Sequence, residues 1–247
     1  MNAQLAIIRV TLRRLITRKR MIGFILFASI PALVVLFAST GDRGPERLAE
    51  LYHNTTFGIL LVVALPVIAI VNATGALGDE RRSHTMPFLA LKPIPRWSIA
   101  LSTMVASVGA TLSVAFVGVG LGWLVAGFAT GRWDIGQGPA MAALVAAIGY
   151  GTIFVPIGLL TRRATVIGLI YLFLWESSFA NAVAALAPTS LGHIALSAYV
   201  DLAPGLDFAD SLGTLEPGAG KALIKVLVVA LVSLAFTTWA LNKRDLA

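Results

Sequence analysis

Six times along this chain of 247 residues, the sequence runs for about 20 apolar, almost uncharged residues, the length a helix needs to cross a bilayer core. Nothing else in the sequence limits the fold as much. Hydrocarbon offers backbone groups no hydrogen bonds, so such stretches are read as helices that satisfy their own N–H and C=O groups. The runs cover 21–39, 57–77, 97–128, 140–160, 165–186 and 221–241. The third is long enough to project from one membrane face, and Pro156 is expected to kink the fourth. Only 13% of the residues are charged and 57% are hydrophobic. A soluble domain carries roughly 25% charged residues, and this chain has too few to cover a watery surface. The basic stretch ahead of the first run resembles the start of a signal peptide. No small-residue cleavage site follows, however, so the run is expected to stay as a span.

The charge distribution orients these spans. With the N-terminus inside, Arg9, Arg13, Arg14, Arg18, Lys19, Arg20, Arg81, Arg82, Lys92, Arg96, Arg162, Arg163, Lys243 and Arg244 all fall on the cytoplasmic side. These are fourteen of the nineteen basic residues. Asp42, Glu46, Glu50, Asp134, Asp201, Asp207, Asp210 and Glu216 fall outside. Short inner loops retain Lys and Arg, so both termini are expected in the cytoplasm. The net charge of +7 is thereby explained by topology, and no nucleic-acid partner is expected.

Residues 1–20 carry Leu5, Ile8, Leu12, Leu15 and Ile16 at helical spacing with Arg9, Arg13 and Arg14 between them. This is a basic amphipathic helix suited to the inner headgroup layer and its lipids. It either only anchors the first span or also touches a cytoplasmic partner. Between the fifth and sixth spans, residues 187–220 hold Pro188, Pro204 and Pro217 around an apolar stretch, Leu191 to Val200. That stretch is too short to span, and Thr189 or Ser190 is placed to cap it, so a re-entrant or interfacial piece is expected.

Several motifs fail. Gly218-Ala219-Gly220-Lys221-Ala222 lacks the first glycine of a phosphate loop, where Leu215 stands, and the hydroxyl residue after the lysine. His53, His84 and His193 are scattered without metal-ligand spacing, and the chain has no cysteine. Gly118 and Gly122 fit a small-residue helix seam, read as packing within the chain. Asn54-Thr55-Thr56 is a formal glycosylation sequon, meaningful only in a eukaryotic secretory setting.

Three polar residues mark a candidate pathway: Glu176, Asn181 and Asn72. Glu176 is the ionisable residue expected at membrane depth, inside Trp175-Glu176-Ser177-Ser178. An acid there serves a transport pathway or proton site, or else the helix breaks at these serines and Glu176 makes a structural hydrogen bond. Asn72 is expected to bond between helices.

The segment from Gly78 to Trp97 is the most informative. The charged cluster Asp79-Glu80-Arg81-Arg82 leads into a short apolar helix bounded by Thr85 and Pro93, with Met86, Phe88, Leu89 and Leu91 on it. Such a surface either seats in a partner's groove or packs on its own bundle. This loop resembles the coupling-helix segment of type-2 ABC transporter permeases. Glu80, Thr85, Met86, Leu89, Pro93, Pro95 and Arg96 match its pattern, while His84 stands where glycine is usual and Pro87 where glutamate is common. The final Leu241-Asn242-Lys243-Arg244-Asp245 is also similar to the family's end.

The resemblance implies an all-α membrane protein forming one permease domain, 1–247. It would have an elbow helix over 1–20, six transmembrane helices and a cytoplasmic coupling helix between spans 2 and 3. It also implies a second permease chain, identical or a sister, and two ABC ATPase subunits. ATP and magnesium would bind those subunits, and no cofactor is expected in this chain. Glu80, Arg81, Arg82, Thr85, Met86, Phe88, Leu89, Pro93 and Arg96 would couple to the ATPase, with the third span transmitting the motion. The expected function is export of a lipid, drug, antibiotic, polysaccharide or similar amphipathic substrate across a prokaryotic plasma membrane. The competing readings are a proton-coupled transporter or channel using Glu176, and a force-transmitting scaffold. No nucleophile–base or metal constellation points to an enzyme.

Overall fold

The computed structural model describes residues 3–82, 95–179, 182–203 and 216–243, and all regular structure among them is helical. The chain forms α1 (Ala3–Leu15), α2 (Arg18–Ala28), α3 (Ile30–Ser39) and α4 (Pro45–Thr55). A π-helical stretch, Thr56–Ala64, then runs directly into α5 (Leu65–Arg82). After these come α6 (Arg96–Thr130), α7 (Gln137–Leu160), and α8 (Ala164–Ile170) with its π-helical continuation Tyr171–Phe179. Last are α9 (Leu191–Leu202) and α10 (Ala219–Lys243).

Four described stretches are long and apolar enough to cross a membrane: Pro45–Gly78, Arg96–Thr130, Asp134–Leu160 and Ala219–Lys243. The pair Lys19–Ala28 and Ile30–Ser39, bent by 44°, is a fifth if counted as one span. The bend has two local causes. Ser29 Oγ donates to the Ile25 carbonyl at 2.7 Å, and Pro31 removes an N–H from the next turn.

The amphipathic α1 packs its apolar side inward, with Leu12, Leu15 and Ile16 against Ala76 of α5 and Ala110 of α6. Arg9 and Arg13 remain exposed. The second span begins at Pro45, well before Phe57 where the apolar run starts. In the charged stretch Leu48, Ala49, Tyr52 and His53 recur at helical spacing and are buried, so one face stays attached to the bundle. Gly118 lets α6 cross α2 closely, because a Cβ there would sit 2.7 Å from the Ala28 carbonyl oxygen. Gly122 does the same against the Tyr52 ring. α6 ends at Gly131, whose φ of 71° supplies the left-handed cap.

α5 and α7 make a close backbone seam. A Cβ on Gly158 would lie 2.4 Å from the Thr74 carbonyl oxygen, so only glycine permits this approach. Thr74 Oγ1 also pairs with Thr165 Oγ1 at 2.9 Å, tying α8 to the same place.

The expected fifth span, 165–186, is interrupted. Its apolar helix, Ala164–Glu176, is too short to cross alone. Gly168 packs on Phe154 of α7, and Gly192, at the start of α9, lies beside Glu176 and Tyr150. From there α9 runs antiparallel to α7. Leu191 meets Gly149, whereas Tyr199 and Ala203 meet Gly138. With a rise of 1.5 Å per residue, α9 begins roughly 16 Å along α7 from its Gln137 end. Leu191 and His193 through Tyr199 are all buried, which identifies α9 as an internal element rather than a surface loop. At its far end Asp201 Oδ2 accepts the Ala219 N–H at 2.9 Å and caps α10. That last helix buries Ala222, Val226 and Thr237 and turns Ile224, Leu231 and Val232 outward, the pattern of a lipid-facing span.

Candidate functional site

A cleft of about 370 Å³ lies where the second span, α7, the end of the α8 segment and α9 meet. Phe57, Gly58, Leu61 and Val62, from the π-helical stretch, form one wall. Leu172, Ala195 and Leu196 form another, and Tyr150, Glu176 and His193 bring the polar groups.

Glu176 is buried and its hydrogen bonds explain how α9 can start inside the bundle. A helix start leaves backbone N–H groups without intrahelical partners, and none can stay unpaired in an apolar setting. Glu176 Oε1 accepts the Leu191 N–H at 3.0 Å and the Tyr171 hydroxyl at 2.9 Å. Its Oε2 accepts the Gly192 N–H at 3.1 Å and the Ser190 hydroxyl. The Tyr150 hydroxyl is close by, 3.5 Å from where a Cβ on Gly192 would sit. Ser190 Oγ accepts the His193 N–H at 3.1 Å, so the cap expected at Thr189 or Ser190 is made by Ser190. A negative charge at a helix N-terminus is favourable, and here it is held by donors on several elements.

Glu176, Ser190 and His193 superficially resemble a nucleophilic triad, but their order is wrong for one. In a triad the imidazole stands between hydroxyl and carboxylate. Here the hydroxyl stands between them, donating to Glu176 and lying 2.8 Å from His193 Nδ1. The arrangement holds a helix and does not activate an oxygen. Among the described residues no group of His, Asp and Glu is placed to hold a metal ion.

The other anticipated residues are dispersed. Asn72 is buried on α5, where its amide donates to Thr111 Oγ1 of α6 at 3.3 Å, away from the cleft. Asn181 lies outside the described residues, as do Thr85, Met86, Phe88, Leu89 and Pro93. Glu80, Arg81 and Arg82 form the last turn of α5, and Arg96 opens α6 behind the extended Pro95. Residues that the sequence did not single out for this site are Tyr150, Tyr171, His193 and the wall around Leu61. The signal was present in Ser190, a capping residue with a histidine three positions on and a single acid to share.

Residues 16–190 match the profile of the family described as ABC-2 family transporter protein. The chain belongs to this ABC-2 family. No curated protein matches it. As an ABC-2 family protein it is a multi-pass permease component of an ABC transporter, and such components are not themselves ATPases. The matched stretch ends at Ser190, the cap of α9, so the α9 wall of the cleft lies beyond it.

Proposed function

We propose that this ABC-2 protein is the permease subunit of an exporter for an amphipathic substrate, a lipid, drug, antibiotic or similar molecule, and that the cleft around Leu61 and His193 is where that substrate sits. The observation that carries this reading is mechanical. Phe57, Gly58, Leu61 and Val62 of the cleft wall lie on the same unbroken helical run as Glu80, Arg81 and Arg82. That run connects the inner face to the cleft over roughly 30 Å. The seam at Thr74 and Gly158 makes its lower half one body with α7.

A separate ABC ATPase, holding ATP and magnesium, pushes on the 79–96 segment, and the helix carries the displacement to the cleft wall. α6 opens at Arg96 of the same segment, so the third span transmits the motion as expected and the second span carries it to the cleft wall. The working assembly contains a second permease chain, identical or a sister. Six crossings, the fifth completed by α9, put both termini in the cytoplasm of a prokaryotic plasma membrane, with α1 on the inner lipid surface. Proton transport through Glu176 gains no support from its geometry, since both carboxylate oxygens already serve α9.

The test is co-expression of the tagged chain with candidate ABC ATPases, followed by ATP hydrolysis and flux in lipid vesicles. Glu80→Lys is expected to leave the complex assembled and to separate hydrolysis from flux. A chain that purifies alone and ignores every ATPase offered sinks the reading.

A further inference from the structure

The ligand-facing chemistry of the cleft is narrower than its lining suggests. The carboxylate oxygens of Glu176 are occupied by Leu191, Gly192, Ser190 and Tyr171. The Ser190 hydroxyl has one proton, and it is donated to Glu176 Oε2. Ser190 Oγ must therefore act as acceptor towards His193, from both its backbone N–H and its Nδ1. This fixes the proton of the imidazole on Nδ1 and leaves Nε2 with a lone pair. His193 is only 8% exposed and lines the cleft, and among the described residues Nε2 makes no hydrogen bond. Nε2 is not among the side-chain atoms buried without a partner, so it keeps access to the cleft, where an incoming molecule can supply a donor.

We infer that the cleft binds an uncharged or cationic amphiphile whose apolar body lies on Phe57, Leu61, Val62 and Leu196 and whose single donor, a hydroxyl or N–H, ends on His193 Nε2. This deepens the proposed function and rests on it: His193 reads the polar head, and the π-helical wall reads only apolar bulk. Glu176 is the positioning residue, since it sets the histidine's proton through Ser190 and leaves no oxygen for the ligand.

The experiment uses the full chain in lipid nanodiscs and two probes that differ in one donor, 1-dodecanol and its methyl ether. Binding is followed by scintillation proximity with labelled probe. Wild type is expected to prefer the alcohol by about fivefold, the effect of one ordinary hydrogen bond. His193→Phe, which keeps a ring but no acceptor, is expected to bind both at the weaker level. Equal affinities in wild type, or a preference for the alcohol that survives in His193→Phe, overturn the assignment; the wild-type comparison requires no variant to fold. Val62→Trp, filling the cleft from its exposed wall, is expected to abolish binding of both probes. Equal wild-type affinities that Val62→Trp abolishes sink the role of His193 and leave the cleft as the substrate site. Binding indifferent to Val62→Trp sinks the cleft itself.

Discussion

The Gly192 backbone N–H donates to Glu176 Oε2 at 3.1 Å across fifteen intervening residues, and this contact joins the end of one short helix to the start of another. A Cβ on Gly192 would lie 3.0 Å from that same oxygen, so the position has space for the hydrogen bond and little more. The fifth segment is thus two half-helices held together by an acid rather than one continuous rod.

Replacing Glu176 by Gln should test that junction. The amide offers one acceptor where α9 uses two, and its NH₂ is turned towards N–H donors. A loss of about 1–3 kcal/mol in stability is expected from leaving buried donors unmet. Thermal unfolding in detergent would read it as a lower midpoint, while the pH profile of ATP-driven flux should keep its shape. A displaced pH profile with unchanged stability would instead favour proton coupling.

Gly158→Ala should separate α5 from α7. Its Cβ would fall 2.4 Å from the Thr74 carbonyl oxygen, and backbone cannot rotate away as a side chain can. Overpacking of this kind costs about 1–3 kcal/mol, visible as a lowered unfolding midpoint. Gly58→Ala, with nothing within 4 Å of its Cβ, is the control expected to show little change in folding.

Tyr199→Phe removes the 2.7 Å hydrogen bond to His53 Nδ1, which ties α9 to α4. Both residues are buried, so roughly 1 kcal/mol should be lost. Faster hydrogen exchange confined to α4 and α9 is the sensitive readout, and unchanged exchange in both would show that the bond does not hold them together.

Topology can be checked directly because the native chain has no cysteine. Thr40→Cys is expected to react with an impermeant maleimide on intact cells, and Arg162→Cys only after the membrane is opened. The reverse labelling would invert the proposed orientation.

Most of the apolar spans were legible in the sequence, and a break after Glu176 was one of its two readings, because both depend on local composition. The Ser190 cap was legible for the same reason, as a small hydroxyl residue ahead of an apolar run. The early start of the second span was hidden by Glu46, Arg47 and Glu50, whose charges mask the buried stripe on the opposite face. The cleft was not legible at all. Its walls come from residues as far apart as Phe57 and Leu196, and nothing local in either segment announces the other. His193 looked like an isolated histidine because its meaning depends on a proton held by Ser190.

The donors around Glu176 also decide which charges the cleft tolerates. The positive end of α9, which elsewhere would attract phosphate or carboxylate groups, is already neutralised from within the chain. An anionic headgroup entering here meets no uncommitted helix end, only a carboxyl group whose oxygens accept rather than donate. On the proposed function, the broken helix is expected to work as a charge filter, turning away acidic lipids that the apolar walls alone would admit.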